Sequence, residues 1–154
     1  MPSEVFDLWI CPVIDGYGWP FSSLSDSVTG TKWDRFFIGR TLSFWASVEW
    51  KLLSLPMNQS VYHPETFNRV KWIIDYCAFG QQTPTANVEN TRERFRAAAT
   101  FIRINGKLPS PVVGITTKEG FEIVDGNHRL AALVFLGFPS TFSFPAWIAT
   151  PKRN

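Results

Sequence analysis

A chain of 154 residues, 45% of them apolar, can bury a core without disulfides or metal, so one compact domain over residues 1–154 is expected. Its net charge of +2 is too small to demand a nucleic-acid partner, although it leaves DNA open. Cys11 and Cys77 stand at no metal or redox spacing, no charged-then-apolar leader opens the chain and no apolar run reaches ~20 residues. The expectation is a soluble protein of a reducing cytoplasm, without membrane insertion.

Residues 1–33 alternate apolar pairs, Val5-Phe6 and Trp9-Ile10, with turn formers from Asp15 to Pro20 and at Ser22-Ser23. This predicts an irregular or short-stranded wrap laid over a core by aromatic anchors. Seven tryptophans and 14 phenylalanines favour an aromatic-rich core, with an exposed aromatic interface as the alternative. From Trp33 to Leu55 two periods compete: Leu42, Phe44, Ala46, Val48 and Trp50 alternate, while Trp45, Val48, Leu52 and Leu55 share a helical face. Strands over Phe36–Ile38 and Leu42–Val48 are predicted, closed by Pro56. Lys32, Asp34, Arg35 and Arg40 read as solvated charges.

His63-Pro64-Glu65 opens a predicted helix with Phe67, Val70, Ile73, Ile74 and Cys77 as its apolar stripe and Gly80 as its stop. His63 reads as a helix-start residue, the sharper alternatives being a ligand or a proton shuttle. A polar loop is expected over Gln81–Val88. Asn90 and Glu93 then have the spacing of a capping box for a helix reaching Ile104, with Phe95, Ala98, Ala99 and Ile102 facing inward and Asn105-Gly106 as the stop. Arg92, Arg94, Arg96 and Arg103 form the densest basic cluster of the chain. They suit DNA contacts or a second clamp on a triphosphate, or else a solvated face partly neutralised by Glu93.

Pro111–Thr116 and Phe121–Val124 flank Thr117-Lys118-Glu119-Gly120, a hairpin signal with glycine placed for positive φ. The second strand runs into Asp125-Gly126-Asn127-His128-Arg129-Leu130-Ala131-Ala132, a tight turn followed by a helix start. Leu130, Leu133, Val134 and Leu136 anchor that helix, Gly137 stops it, Phe142–Ile148 is the last predicted strand, and 151–154 form a basic tail.

The first N–H groups of a helix lack intrahelical partners and carry partial positive charge. Gly126 permits close backbone approach, and Asn127, His128 and Arg129 add side-chain contacts, which together suit a phosphate. Asp125 can hold Mg²⁺ beside phosphate oxygens or orient water, with Glu122 a weaker candidate. His128 can pass a proton to a leaving oxygen or hydrogen-bond to phosphate, and Arg129 can stabilise charge developing on a phosphoryl group. A plain turn and cap accounts for the same residues differently: Asn127 caps the helix, His128 satisfies a carbonyl, and Arg129 pairs with Asp125 or Glu122.

A strand followed by Asp-Gly-Asn-His-Arg and a Leu-Ala-Ala helix resembles the nucleotide-binding turn of the ParB/sulfiredoxin superfamily. Sulfiredoxins read Gly-Gly-Cys-His-Arg there and ParB proteins Gly-Glu-Arg-Arg; Gly126 and Arg129 match both, and His128 matches the former. The resemblance covers roughly 108–147, with Pro111-Val112-Val113-Gly114 as the preceding strand. Asn127 replaces the reactive cysteine of sulfiredoxins, which removes thiolate chemistry at this position. The resemblance implies an α+β fold, a small mixed sheet packed with helices, and a phosphate-binding turn at a helix N-terminus.

The nearest likeness is to the plasmid fertility inhibition factors of the Osa type. That likeness implies a bacterial ATPase and DNase that uses ATP or another nucleoside triphosphate with Mg²⁺. Such a protein blocks plasmid or T-DNA transfer through a conjugation or type IV secretion apparatus, with DNA and a component of that apparatus as partners. The alternative is a nucleotide-gated module, as in ParB clamps, that binds protein or DNA without significant turnover.

Overall fold

The computed structural model describes residues 1–81 and 90–152. Its elements are α1, a continuous helical run through Ser3–Val5, a π-helical Phe6–Ile10 and Cys11–Tyr17; α2, Trp33–Phe36; α3, Leu42–Ser47; and β1, Glu49–Pro56. They continue with α4, Pro64–Phe79; α5, Thr91–Asn105; β2, Val112–Thr117; β3, Gly120–Asp125; α6, Asn127–Phe135; and β4, Ser143–Thr150. The fold is α+β. The expected loop at 81–88 falls outside the described residues except for Gln81, as does the end of the tail.

The four strands form one mixed sheet in the order β1-β4-β2-β3. β1 and β4 are antiparallel from Glu49↔Thr150 to Pro56↔Ser143, β4 and β2 are parallel from Val112↔Ala146 to Ile115↔Ala149, and β2 and β3 form the predicted hairpin. Gly120 closes that hairpin at φ 119°. Its Cα lies so close to the main chain of Val61 and Tyr62 that a β-carbon would sit 2.6 Å from the Val61 carbonyl oxygen.

Alternation along the strands divides the core into two layers. Val112, Ile123, Phe144, Ala146, Ile148 and Leu55 face one side of the sheet, where Val70 and Ile73 of α4, Phe95, Ala98, Ala99 and Ile102 of α5, and Leu130 and Leu133 of α6 cover them. Val113, Ile115 and Ala149 face the other side and meet Val5, Trp9, Ile10 and Val13 of α1, Trp33 and Phe37, and Leu42 and Trp45 of α3. Trp9, Trp33, Trp45 and Phe37 are each at most 1% exposed, so the aromatic residues chiefly build a core. Trp9 packs edge-on against Trp45 at 4.9 Å and Phe37 at 5.6 Å, arrangements favoured by the ring quadrupoles.

The aromatic layer corrects the expectation for the first third of the chain. Residues 3–17 are helical because Val5, Trp9 and Val13 recur every four residues on the buried face. Pro12 lacks the N–H that would bond to Leu8, and the π-helical turn directly before it takes up the irregularity. The predicted strand at Phe36–Ile38 is instead the end of α2 and a turn, with Ile38 at φ 48°. The predicted strand at Leu42–Val48 is α3, started by Thr41, whose Oγ1 accepts a hydrogen bond from Phe44 N. The alternation there belongs to a helix, and the strand follows it as β1.

α4, α5, the hairpin, α6 and β4 form close to the predicted positions. His63 caps α4, its Nδ1 accepting from Glu65 N at 3.2 Å. The capping box of α5 is absent: Asn90 is left-handed at φ 64° and its side chain makes no cap bond. No helix among the described residues is long and apolar enough to cross a membrane.

Candidate functional site

The hairpin delivers the turn through an irregularity. Val113 pairs with Asp125 but Gly114 pairs with Ile123, so Val124 is an extra residue on β3, a β-bulge one residue before Asp125. A bulge bends its strand and redirects the residues after it, here onto the start of α6. Gly126 follows at φ 97° and ψ 13°. A β-carbon on Gly126 would lie 2.6 Å from Val112 Cγ1 and 2.9 Å from Arg129 Nη2, so only glycine fits without displacement.

Arg129 acts first as an internal clamp. Its Nη2 donates to Asp125 Oδ2 at 2.5 Å, and its Nη1 donates to the carbonyls of Pro111 at 2.6 Å and Ser110 at 3.3 Å and to Ser110 Oγ. These bonds tie the start of β2 to the first turn of α6. Burial holds the Asp125 carboxyl above its ordinary pKa, against the opposing pull of the Arg129 guanidinium and then Arg94. The guanidinium stands 2.5 Å from Asp125 Oδ2, and 34% of the Asp125 side chain is open to solvent. The plainer reading of this pair therefore holds. Glu122 is engaged elsewhere, accepting from Arg69 at 2.9 Å.

Asn127 does not cap α6, which has no side-chain cap at all. Its Nδ2 donates to Ile123 O at 3.3 Å, and its Oδ1 is buried with no partner among the described residues. His128 Nε2 is likewise buried and unpartnered. Burial, then Arg94, Arg129 and Arg35, push the His128 pKa down from 6.5 to about 4, so the imidazole is neutral at physiological pH.

The expected basic cluster divides. Arg94 of α5 lies close enough to the turn to act on both Asp125 and His128. Arg92 instead stacks 4.5 Å from the ring of Tyr76 on α4, and Arg96 lies with it beside Cys77. Arg103 occupies the last turn of α5, far along the helix from Arg94. Arg35, read as a solvated charge, reaches the vicinity of His128 from α2. Only the packing of the aromatic layer against the sheet brings it there. Among the described residues, neither Arg35 nor Arg94 has a carboxylate within ion-pair distance.

Among the described residues, no three His, Cys, Asp or Glu side chains are grouped to hold a metal. Asp125 alone can offer a carboxylate to a Mg²⁺ that is held mainly by phosphate and water. A concavity of about 530 Å³ lies at the opposite end of β3, lined by Gln59, Tyr62, His63, Phe67, Asn68 and Glu119. There His63 Nε2 meets Glu119 Oε2 at 2.6 Å. With Nδ1 already accepting, the neutral ring carries its proton on Nε2, which makes His63 a poor ligand in this arrangement.

No family model matches this chain, and neither a curated protein nor a solved structure matches it.

Proposed function

We propose that the start of α6 binds the phosphates of a nucleoside triphosphate, ATP or a relative, and promotes their hydrolysis. One observation carries this reading: beside an uncapped helix N-terminus, two exposed arginines, Arg94 and Arg35, lie near enough to act on His128 and have no carboxylate partner among the described residues. A helix start with unneutralised guanidinium groups beside it favours an anion. The backbone N–H groups of Asn127 and His128, in the first turn of α6, would donate to phosphate oxygens. Neutral His128 can donate through Nε2, and Asn127 Oδ1 can accept from a hydroxyl, amine or water. Asp125, held by Arg129, can orient the attacking water. Mg²⁺ arriving with the triphosphate would meet Asp125 and supply charge neutralisation.

The resemblance of the turn to the ParB/sulfiredoxin superfamily extends this proposal. The chain acts as an ATPase and DNase of the fertility-inhibition kind, limiting DNA transfer through a type IV secretion apparatus. The Asp125–Arg129 pair favours a second reading, because both groups are already engaged with each other: nucleotide binding that gates a protein or DNA contact, with little turnover.

The test is binding of ATP and CTP with Mg²⁺, phosphate release, and nicking of supercoiled plasmid, comparing the native protein with Arg94→Ala and His128→Ala. Arg94 is exposed, so Arg94→Ala should leave the fold unchanged while weakening nucleotide binding about tenfold or more. Release and nicking support the first reading, binding without release the second, and no nucleotide binding refutes both.

A further inference from the structure

The two edges of the sheet are treated differently. On β3, main-chain groups facing away from β2 are closed from α4 and its approach. His63 N donates to Phe121 O at 3.0 Å, Thr66 Oγ1 accepts from Ile123 N at 3.1 Å, and Arg69 Nη1 donates to Ile123 O at 3.2 Å. Among the described residues the opposite edge, β1, pairs with β4 alone, and residues 51–54 are all exposed.

β1 also exposes leucines on both of its faces. Leu52 is 53% exposed and lies on the face of Trp50, toward the aromatic layer; Leu53 is 36% exposed and lies on the face of Leu55, toward the α4–α6 layer. A long open edge with exposed leucines on both faces invites pairing. A charge on an edge strand normally discourages that pairing, but Lys51 is neutralised within the strand by Glu49 at 3.0 Å.

We propose that β1 pairs with β1 of a second copy of this chain, antiparallel about a two-fold axis at Leu52, joining two sheets into one of eight strands. A two-fold axis normal to the sheet places one residue opposite its own copy and keeps each helical layer on its own face. An axis at Lys51 would set two ammonium groups opposite each other. An axis at Leu53 would bring Pro56, which has no N–H, into the ladder opposite Trp50. The axis at Leu52 pairs Leu52 with itself, Lys51 with Leu53, Trp50 with Ser54 and Glu49 with Leu55. No like charges face each other, and Pro56 stays outside. The strand can thus pair with itself over Glu49–Leu55 without like charges opposed or Pro56 in the ladder, and a second copy presents the same open edge with the same leucines.

Sedimentation equilibrium over about two decades of concentration should show a monomer–dimer equilibrium in the native protein. Leu52→Lys, at an exposed position, should keep the far-UV spectrum and weaken association about tenfold or more. Leu52→Cys should cross-link to itself under mild oxidation beyond the level given by native Cys11 and Cys77, since opposed residues lie within disulfide reach. Glu49→Cys should not, because its two copies would stand ~20 Å apart. A native protein that stays monomeric overturns the proposal, as does a dimer that Leu52→Lys leaves unchanged. Cross-linking by Glu49→Cys but not by Leu52→Cys overturns the register.

Discussion

Arg129→Ala tests whether Arg129 is a clamp or a free phosphate ligand. The guanidinium makes four contacts, to Asp125, Pro111 O, Ser110 O and Ser110 Oγ, and its side chain is only 14% exposed. Its loss strands the Asp125 carboxylate and leaves the Pro111 carbonyl without this donor. Removing one partner of a buried pair costs ~3–5 kcal/mol, and the partial exposure of Asp125 places this case near ~3 kcal/mol. At a typical urea slope of ~2 kcal/mol/M, the unfolding midpoint should fall by ~1.5 M with the slope unchanged. Removing Asp125 as well takes away the stranded charge, so Asp125→Ala with Arg129→Ala should cost ~1–2 kcal/mol less than the sum of the single changes. A midpoint for Arg129→Ala within ~0.3 M of native would refute the clamp and return the guanidinium to the ligand. If the clamp holds, lost activity in Arg129→Ala reports on folding as much as on chemistry, which makes Arg94→Ala the cleaner probe.

His128 gives a pH signature. Its folded pKa of about 4 lies below the ordinary 6.5, so the native state keeps it neutral while the unfolded chain takes a proton. The contribution, at most ~3 kcal/mol, is complete above pH 6.5 and disappears as pH falls toward about 4; thermal melts of His128→Gln should lose that part of the slope. Gly126→Ala meets Val112 Cγ1 at 2.6 Å in a left-handed conformation and should cost ~2–4 kcal/mol by urea unfolding; a loss below ~0.5 kcal/mol would mean the turn relaxes freely. Thr66→Val keeps the shape of a fully buried residue but orphans Ile123 N–H, costing ~1–3 kcal/mol, and hydrogen exchange at Ile123 should accelerate accordingly.

The second half of the chain was legible because its signals are local. His63-Pro64-Glu65 fixes the start of α4, Gly80 and Gly106 end α4 and α5, and Gly120 needs the positive φ that the hairpin supplies. The first third was not, because large aromatic residues suit strand and helix alike and distant partners decide. Trp45 donates from Nε1 to Phe37 O at 3.3 Å and packs on Trp9, contacts that reward a helix at 42–47 whatever its local alternation. One local signal stood in the sequence unread: Thr41, three residues before Phe44, is a helix cap.

The candidate site divides along the same line. Asp125 to Arg129 could be read directly, since glycine, a strand before and a helix after are sequence features. Their surroundings could not. Arg94 lies near enough to the turn to act on Asp125 and His128 while Arg92, two residues earlier, turns to Tyr76, a division set by how α5 packs against both α6 and α4. Arg35 comes from a segment expected to form strands, where its charge read as solvated. Its arrival beside His128 depends on Trp33 and Phe37, buried on either side of it, which fix α2 against the back of the sheet and leave Arg35 on the outer face. The aromatic layer therefore shapes the charge at the turn. With Asp125 committed to Arg129, a change that loosens α2 should alter anion binding at α6 without touching a residue of the motif.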